Sequence, residues 1–204
     1  MNWNTIAAAT LENEHVLLRP VTEEHRASLH GVALDPEIWD YFVSRVDSDE
    51  DYTAFFDASL ADQEAGRRVV FHITDKHTGR TAGSMSFGNL AEADRRLEIG
   101  WSWLGREFRS RDVNRWAKFL LLQHAFETLE AERVEFKTDI LNQRARRALR
   151  NIGAVEEGTL RSFNYMPGGR RRDAIFYSVL RAEWPGVKER LLSDSKAAPA
   201  VTAS

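Results

Sequence analysis

The stretch "REFRSRDVNR" places Arg106, Arg109, Arg111 and Arg115 within ten residues, and the apolar run "WAKFLLLQHAF" follows at once. Val113, Trp116, Ala117, Leu120, Leu121, Ala125 and Leu129 recur at helical spacing, while Phe119, Leu122 and Phe126 widen the apolar surface. A largely buried helix is therefore predicted to begin near Asp112 to Arg115. Its first turn leaves backbone N–H groups without intrahelical acceptors, at the positive end of the helix dipole and among the arginines. That combination suits an anion, phosphate in particular; the competing reading is a solvated charged loop. Glu98, in "RRLEIGWSWL", is a second candidate. Leu97, Ile99, Trp101 and Trp103 alternate onto one strand face and the carboxylate turns to the other. There it can remove a proton from an amine, or pair across strands with a base such as Lys137. His72 is a weaker candidate base, since a lone strand histidine is more often packed than catalytic.

These residues need a frame. "HVLLRPV" reads as a strand, and Thr22 caps a helix that ends near Leu34 ahead of Asp35-Pro36. Ser48 with Asp51 forms a capping box for a second helix stopped by Gly66. "RRVVFHITD", "RTAGSMSFGNL" and "RRLEIGWSWL" then form an antiparallel meander, its first turn "HTGR". The buried helix carries the chain over to "ERVEFKTDI", where the sheet turns parallel. A helix follows from Asn142 to Gly153, then strands "AVEEGTLR" and "RRRDAIFYSVL" flanking "MPGG", then a short helix after Pro185. Arg144, Arg146, Arg147 and Arg150 are expected on the solvent side of the Asn142 helix. Tyr165, Met166 and "PGGRRR" form either a cover for an acceptor or an ordinary exposed hairpin.

At 204 residues, 43% hydrophobic and 10% aromatic, the chain can bury one sizeable core. A single domain over residues 1–192 is expected, with 193–204 a disordered small-residue tail. The absence of cysteine excludes disulfides, thiolate metal sites and a cysteine nucleophile, and makes a reducing cytoplasm the expected compartment. No basic segment with an apolar stretch opens the sequence, and the longest apolar runs are too short for a bilayer. A net charge of −3 gives no global pull on nucleic acid, so any anion site is local.

The order of elements, with an anion-binding turn between the fourth predicted strand and the helix after it, resembles the GNAT superfamily of acetyl-CoA-dependent N-acetyltransferases. "LEIGWSWL", "LLQHAFETLEAERVEFKTDILNQRARRALRNIGAVEEGTLR" and "RRRDAIFYSVLRAEWP" look most like the RimJ/RimL branch that acetylates ribosomal proteins. The resemblance implies a mixed α/β fold, a mostly antiparallel sheet splayed between its fourth and fifth strands. It also implies a cofactor turn of the type [Q/R]-x-x-G-x-[G/A], here Arg109, Ser110, Arg111, Asp112, Val113 and Asn114. Asp112 stands where glycine is expected. Two like charges about 6 Å apart at an effective dielectric of about 20 repel by about 3 kcal/mol before screening, so cofactor binding should weaken unless this carboxylate turns away and caps the helix.

By the same likeness, Asn142 lies beside coenzyme A as well as capping its helix. Glu98 acts as base through water, and a backbone N–H near Trp103 and Leu104 meets the oxyanion. The tyrosine that often protonates the leaving thiolate is replaced by Leu149. The likeness further implies direct ternary-complex transfer from acetyl-CoA, no metal, a primary amine acceptor such as a protein amino terminus, and a homodimer. The alternative is a non-catalytic module of this fold that binds RNA or a protein partner, its cofactor affinity lost through Asp112.

Overall fold

The computed structural model describes residues 3–109 and 112–193. The carboxy-terminal tail expected to be disordered lies almost wholly outside them, as do Ser110 and Arg111. Eight strands form one sheet in the order β1-β2-β3-β4-β5-β6-β8-β7. They are β1 (Leu11–Glu12), β2 (Val16–Pro20), β3 (Arg68–Asp75), β4 (Arg80–Ala91), β5 (Arg96–Leu104), β6 (Arg133–Asp139), β7 (Val155–Tyr165) and β8 (Arg171–Leu180). Only β5 and β6 pair in parallel. The two-residue β1 is an addition to the expected strands: too short to show an alternation, it sits at the sheet edge against β2. The fourth and fifth predicted strands are thus β5 and β6.

The helices are α1 (Arg26–Ala33), α2 (Asp49–Glu64), α3 (Val113–Gln123), α4 (Gln143–Asn151) and α5 (Trp184–Ser193). The Ser48 hydroxyl accepts from the Asp51 N–H at 3.1 Å, and Asp51 reaches back to the Asp47 N–H, so the predicted cap of α2 is present in slightly shifted form. At Thr22 the reciprocal partner is His25, whose ring accepts from the Thr22 N–H. The resulting turn is a short 3-10 segment, and α1 proper begins only at Arg26. Helix α3 passes directly into one π-helical turn, His124–Thr128.

Two apolar clusters lie on opposite faces of the sheet. One packs α3, α4 and α5 on Leu97, Ile99, Val134, Phe136 and Tyr177; the other packs α1 and α2 on Val70 and Trp103. The alternation read for β5 therefore holds only through Ile99. Ser86 pairs with Gly100 but Ser84 with Trp103, so Met85 faces two residues, Trp101 and Ser102, across a β-bulge. Trp101 occupies the left-handed region at φ 47°. The extra residue reverses parity, and Trp103 joins the α1/α2 cluster instead of following Leu97 and Ile99. Gly88 leaves room for this: a Cβ there would stand 2.4 Å from the Trp101 ring.

Candidate active site

Parallel pairing of β5 with β6 ends at Glu98–Glu135, although β5 runs on to Leu104 and β6 to Asp139. Past that point the strands splay, and the β6-facing edge of β5 has no ladder partner among the described residues. The gap is a cleft of about 550 Å³. Its walls come from both sheet faces: Leu104, Asn114, Lys118, Asn142 and Leu149 on the α3/α4 side, and Ile38, Phe42, Trp103, Phe163 and Arg172 on the other. The opening therefore passes through the sheet.

Glu98 is 4% exposed and faces away from Leu97 and Ile99, as its strand parity requires. Its Oε2 accepts from Asn89 Nδ2 at 2.6 Å and from Lys137 Nζ at 3.0 Å. The cross-strand pair with Lys137 exists, and it does not consume the carboxylate, because Oε1 has no hydrogen-bond partner among the described residues. The ammonium of Lys137 stands 6.0 Å from the Trp101 ring and 5.6 Å from that of Phe163, fixed by the rings as well as by Glu98. A Cβ on Gly100 would lie 2.8 Å from Glu98 Oε1, so glycine is what admits this carboxylate over the strand.

On the opposite face, Asn142 caps α4 by accepting from the Ala145 N–H at 3.0 Å and also lines the cleft. Asn114 lines it too and accepts from Lys118 Nζ. Lys118 is 6% exposed and has no carboxylate partner among the described residues. Burial pushes its ammonium down to about 8. Sequence reasoning missed this residue; a lysine inside an otherwise apolar helical run is the signal that marks it.

The arginines answer differently from one another. Arg109 donates to the Leu104 carbonyl at 3.0 Å, to Glu37 at 2.8 Å and to Asp35 at 2.8 Å. Its guanidinium ties the α3 turn to the segment after α1, and the residue also lines the cleft. Arg115 donates to Asp112 at 2.9 Å and to the Leu191 carbonyl at 3.2 Å, and lies over the Trp116 ring. Asp112 itself has φ −68° and ψ 1°, an ordinary right-handed turn that needs no glycine, and its side chain makes no cap bond. Neither Asp112 nor the buried Val113 lines the cleft. The capping weighed as the alternative for Asp112 is absent, and the carboxylate pairs with Arg115 instead.

Other expectations are corrected in detail. Arg146 is half-buried and donates to Tyr177 and the Ile140 carbonyl, a tie between α4 and the sheet instead of a solvated side chain. His72 lies outside the cleft wall, its ring tilted against that of His25 at 4.5 Å, and burial pushes it down to about 4. Tyr165 is 68% exposed under Arg171, and of the hairpin only its last residue, Arg172, reaches the cleft, joined by Phe163 and Asn164 on β7. Among the described residues, no helix is long and apolar enough to cross a membrane and no cluster of three acidic or histidine side chains could hold a metal ion.

Residues 15–155 match the acetyltransferase (GNAT) domain family. The chain belongs to the GNAT acetyltransferase family. It is similar to "Putative ribosomal N-acetyltransferase YdaF" of Bacillus subtilis (strain 168), 35% identical over 112 residues, which are 55% of this chain and 60% of that relative. A solved structure from T. thermophilus, described as a "putative acetyltransferase", is 37% identical with a TM-score of 0.83 over 91% of this chain and 96% of that one. Mycobacterium smegmatis RimJ in complex with CoA-disulfide shares the fold at 22% identity and TM-score 0.76, over 92% of this chain and 93% of that one. The RimJ/RimL likeness read in the sequence agrees with the ribosomal name among these GNAT relatives.

Proposed function

We propose that this chain transfers the acetyl group of acetyl-CoA to a primary amine, of a protein amino terminus or a small molecule, by direct transfer in a ternary complex without a metal. The observation that carries the reading is the through-sheet cleft. It places a buried carboxylate with a free oxygen on one face and the amino-terminal ends of α3 and α4 on the other. The residues present fit the cosubstrate: the start of α3 offers N–H groups to a diphosphate, the splayed β5 edge offers unpaired backbone, and Asn114, Lys118 and Asn142 add polar groups to the wall. Acetyl-CoA, when bound, supplies an activated thioester.

On this reading Glu98 Oε1 takes the amine proton, directly or through water, while Asn89 and Lys137 hold the carboxylate by Oε2. A backbone N–H near Trp103 and Leu104, on the edge of β5 away from β4, would meet the acyl oxygen. The alternative of a non-catalytic module rested on Asp112 spoiling the anion site, and its pairing with Arg115 outside the cleft supports the enzyme reading over it.

Glu98→Gln is expected to lower kcat about a hundredfold or more, with acetyl-CoA affinity by titration calorimetry changed less than about twofold. Unchanged turnover would remove Glu98 from the chemistry. The expected homodimer is retained as part of the proposal: β7 is a sheet edge with Val155, Leu160 and Tyr165 exposed, which suits a second copy. Light scattering at micromolar concentration should give twice the chain mass, and a monomer would end that part of the reading.

A further inference from the structure

Strand parity divides the charges of the cleft between the two faces of the sheet. Phe136 and Ile175 belong to the cluster under α3 and α4, so Lys137 on β6 and Arg172, Ala174 and Phe176 on β8 point to the other side, where Glu98 also points. Arg172 is 4% exposed and lines the cleft. Its side chain makes no hydrogen bond or ion pair among the described residues, and its Nε is shut off from solvent with no acceptor. Two neighbouring acceptors carry no hydrogen bond, Glu98 Oε1 and Asn164 Oδ1, the latter on the residue opposite Arg172 in β7, and neither bonds it; the other oxygens of Asp139 and Glu98 are engaged. Asp139 accepts from the Leu141 N–H and from Arg170, and Glu98 Oε2 accepts from Asn89 and Lys137. Burial disfavours the Arg172 cation, and the attraction of Asp139 and Glu98 offsets this only in part.

A guanidinium buried without an acceptor costs free energy that a structural role would have recovered by pairing it. Its place on the face away from α3 and α4 separates it from the anion-binding turn, so a diphosphate held at that turn does not account for it. We propose that Arg172 is the anchor for a carboxylate carried by the acceptor, within a few bonds of the amine that Glu98 deprotonates. The acceptor is then an amine that is also an acid. It presents an ammonium toward Glu98 and a carboxylate toward Arg172, and the planar fork of arginine suits the latter. Two sources carry this chemistry: a free amino acid through its α-carboxylate, and a peptide whose amino-terminal residue is aspartate or glutamate.

This inference rests on the acetyltransferase reading, and the test separates the two. Thiol release from acetyl-CoA is followed with matched pairs: free amino acids against their carboxamides, and peptides opening with Asp or Glu against peptides opening with Asn or Gln. One pair is expected to favour the acid by about ten- to a hundredfold in kcat/KM, and whichever pair does so names the source. Arg172→Gln should collapse that ratio toward one with acetyl-CoA affinity unchanged, and Arg172→Lys should keep part of it. The melting temperature of Arg172→Gln should not fall, since no protein hydrogen bond is lost. Binding of N-acetyl amino acids against their amides to the CoA-loaded protein gives a second readout independent of turnover. Equal rates and equal binding within every pair, or an Arg172→Gln loss shared alike by acid and amide, would overturn the carboxylate anchor while leaving the acetyltransferase standing. Failure of the parent to bind acetyl-CoA would overturn both.

Discussion

Asp112 is where a one-letter departure from a family pattern and its physical consequence come apart. Glycine in such a turn serves close approach or a left-handed backbone, yet here the backbone is right-handed and the carboxylate is turned to Arg115. Asp112→Gly is therefore expected to leave acetyl-CoA affinity within about twofold, and to lower stability by about 0.5–1 kcal/mol through added chain entropy and the lost pair. Titration calorimetry and urea unfolding on the same preparation check both halves; tighter binding by about tenfold would show that the carboxylate does oppose the diphosphate. Glu98 and Asn142 were legible because strand parity and an N-cap are local properties. Lys118 and Arg172 were not. Lys118 shows in the sequence only as a lysine inside an apolar helical run, and the burial of Arg172 without a hydrogen-bond acceptor depends on what the rest of the chain leaves beside it.

At the scale of elements, nearly every strand and helix was legible from periodicity and caps, and the bulge in β5 was not. "LEIGWSWL" alternates so regularly that nothing local marks the reversal at Trp101–Ser102. The reversal is imposed by neighbours. Gly83, at φ 148°, brings its strand so close to β5 that a Cβ would lie 2.2 Å from the Trp103 carbonyl oxygen, and Gly88 admits the Trp101 ring. The bulge and the end of β5–β6 pairing together open the cleft, so these glycines shape the site without touching a ligand. Gly83→Ala should cost about 2–4 kcal/mol of stability, because backbone rather than a flexible side chain must give way. Gly100→Ala tests the opposite case. Its Cβ meets the movable end of Glu98, so stability should fall by less than about 1 kcal/mol while kcat falls about a hundredfold from misplacing the proposed base. Urea unfolding beside steady-state rates would show the split, and equal losses in both would contradict it.

Across the whole molecule, the sheet must close two cores and still leave a polar opening through its middle, and the uncompensated charges it buries make stability depend on pH in two windows. Burial holds His72 at about 4 against 6.5 unfolded, and Lys118 at about 8 against 10.5. Between pH 4 and 6.5 the unfolded chain binds a proton at His72 that the folded chain refuses, and between pH 8 and 10.5 the same is true at Lys118. In each window the unfolded state carries more protons, so stability rises with pH, by about 3 kcal/mol per group at most. Partnered carboxylates add further loss on acidification: Glu157, held low by Arg133, and Glu127, where burial is outweighed by hydrogen bonds from Lys188, Trp184 and Gln123. The alkaline rise is the diagnostic part, since a chain without a buried lysine gains nothing there. Lys118→Met is expected to be more stable than the parent at pH 7 by up to about 3 kcal/mol, having no cation to desolvate, and to show no rise between pH 8 and 10.5. Unfolding free energies from urea titrations at about pH 7, 8, 9 and 10 on both proteins decide it. A parent whose stability is flat or falling over that range, or a Lys118→Met variant less stable at neutral pH, would mean that water or a rearranged Asn114 keeps the ammonium solvated inside the cleft.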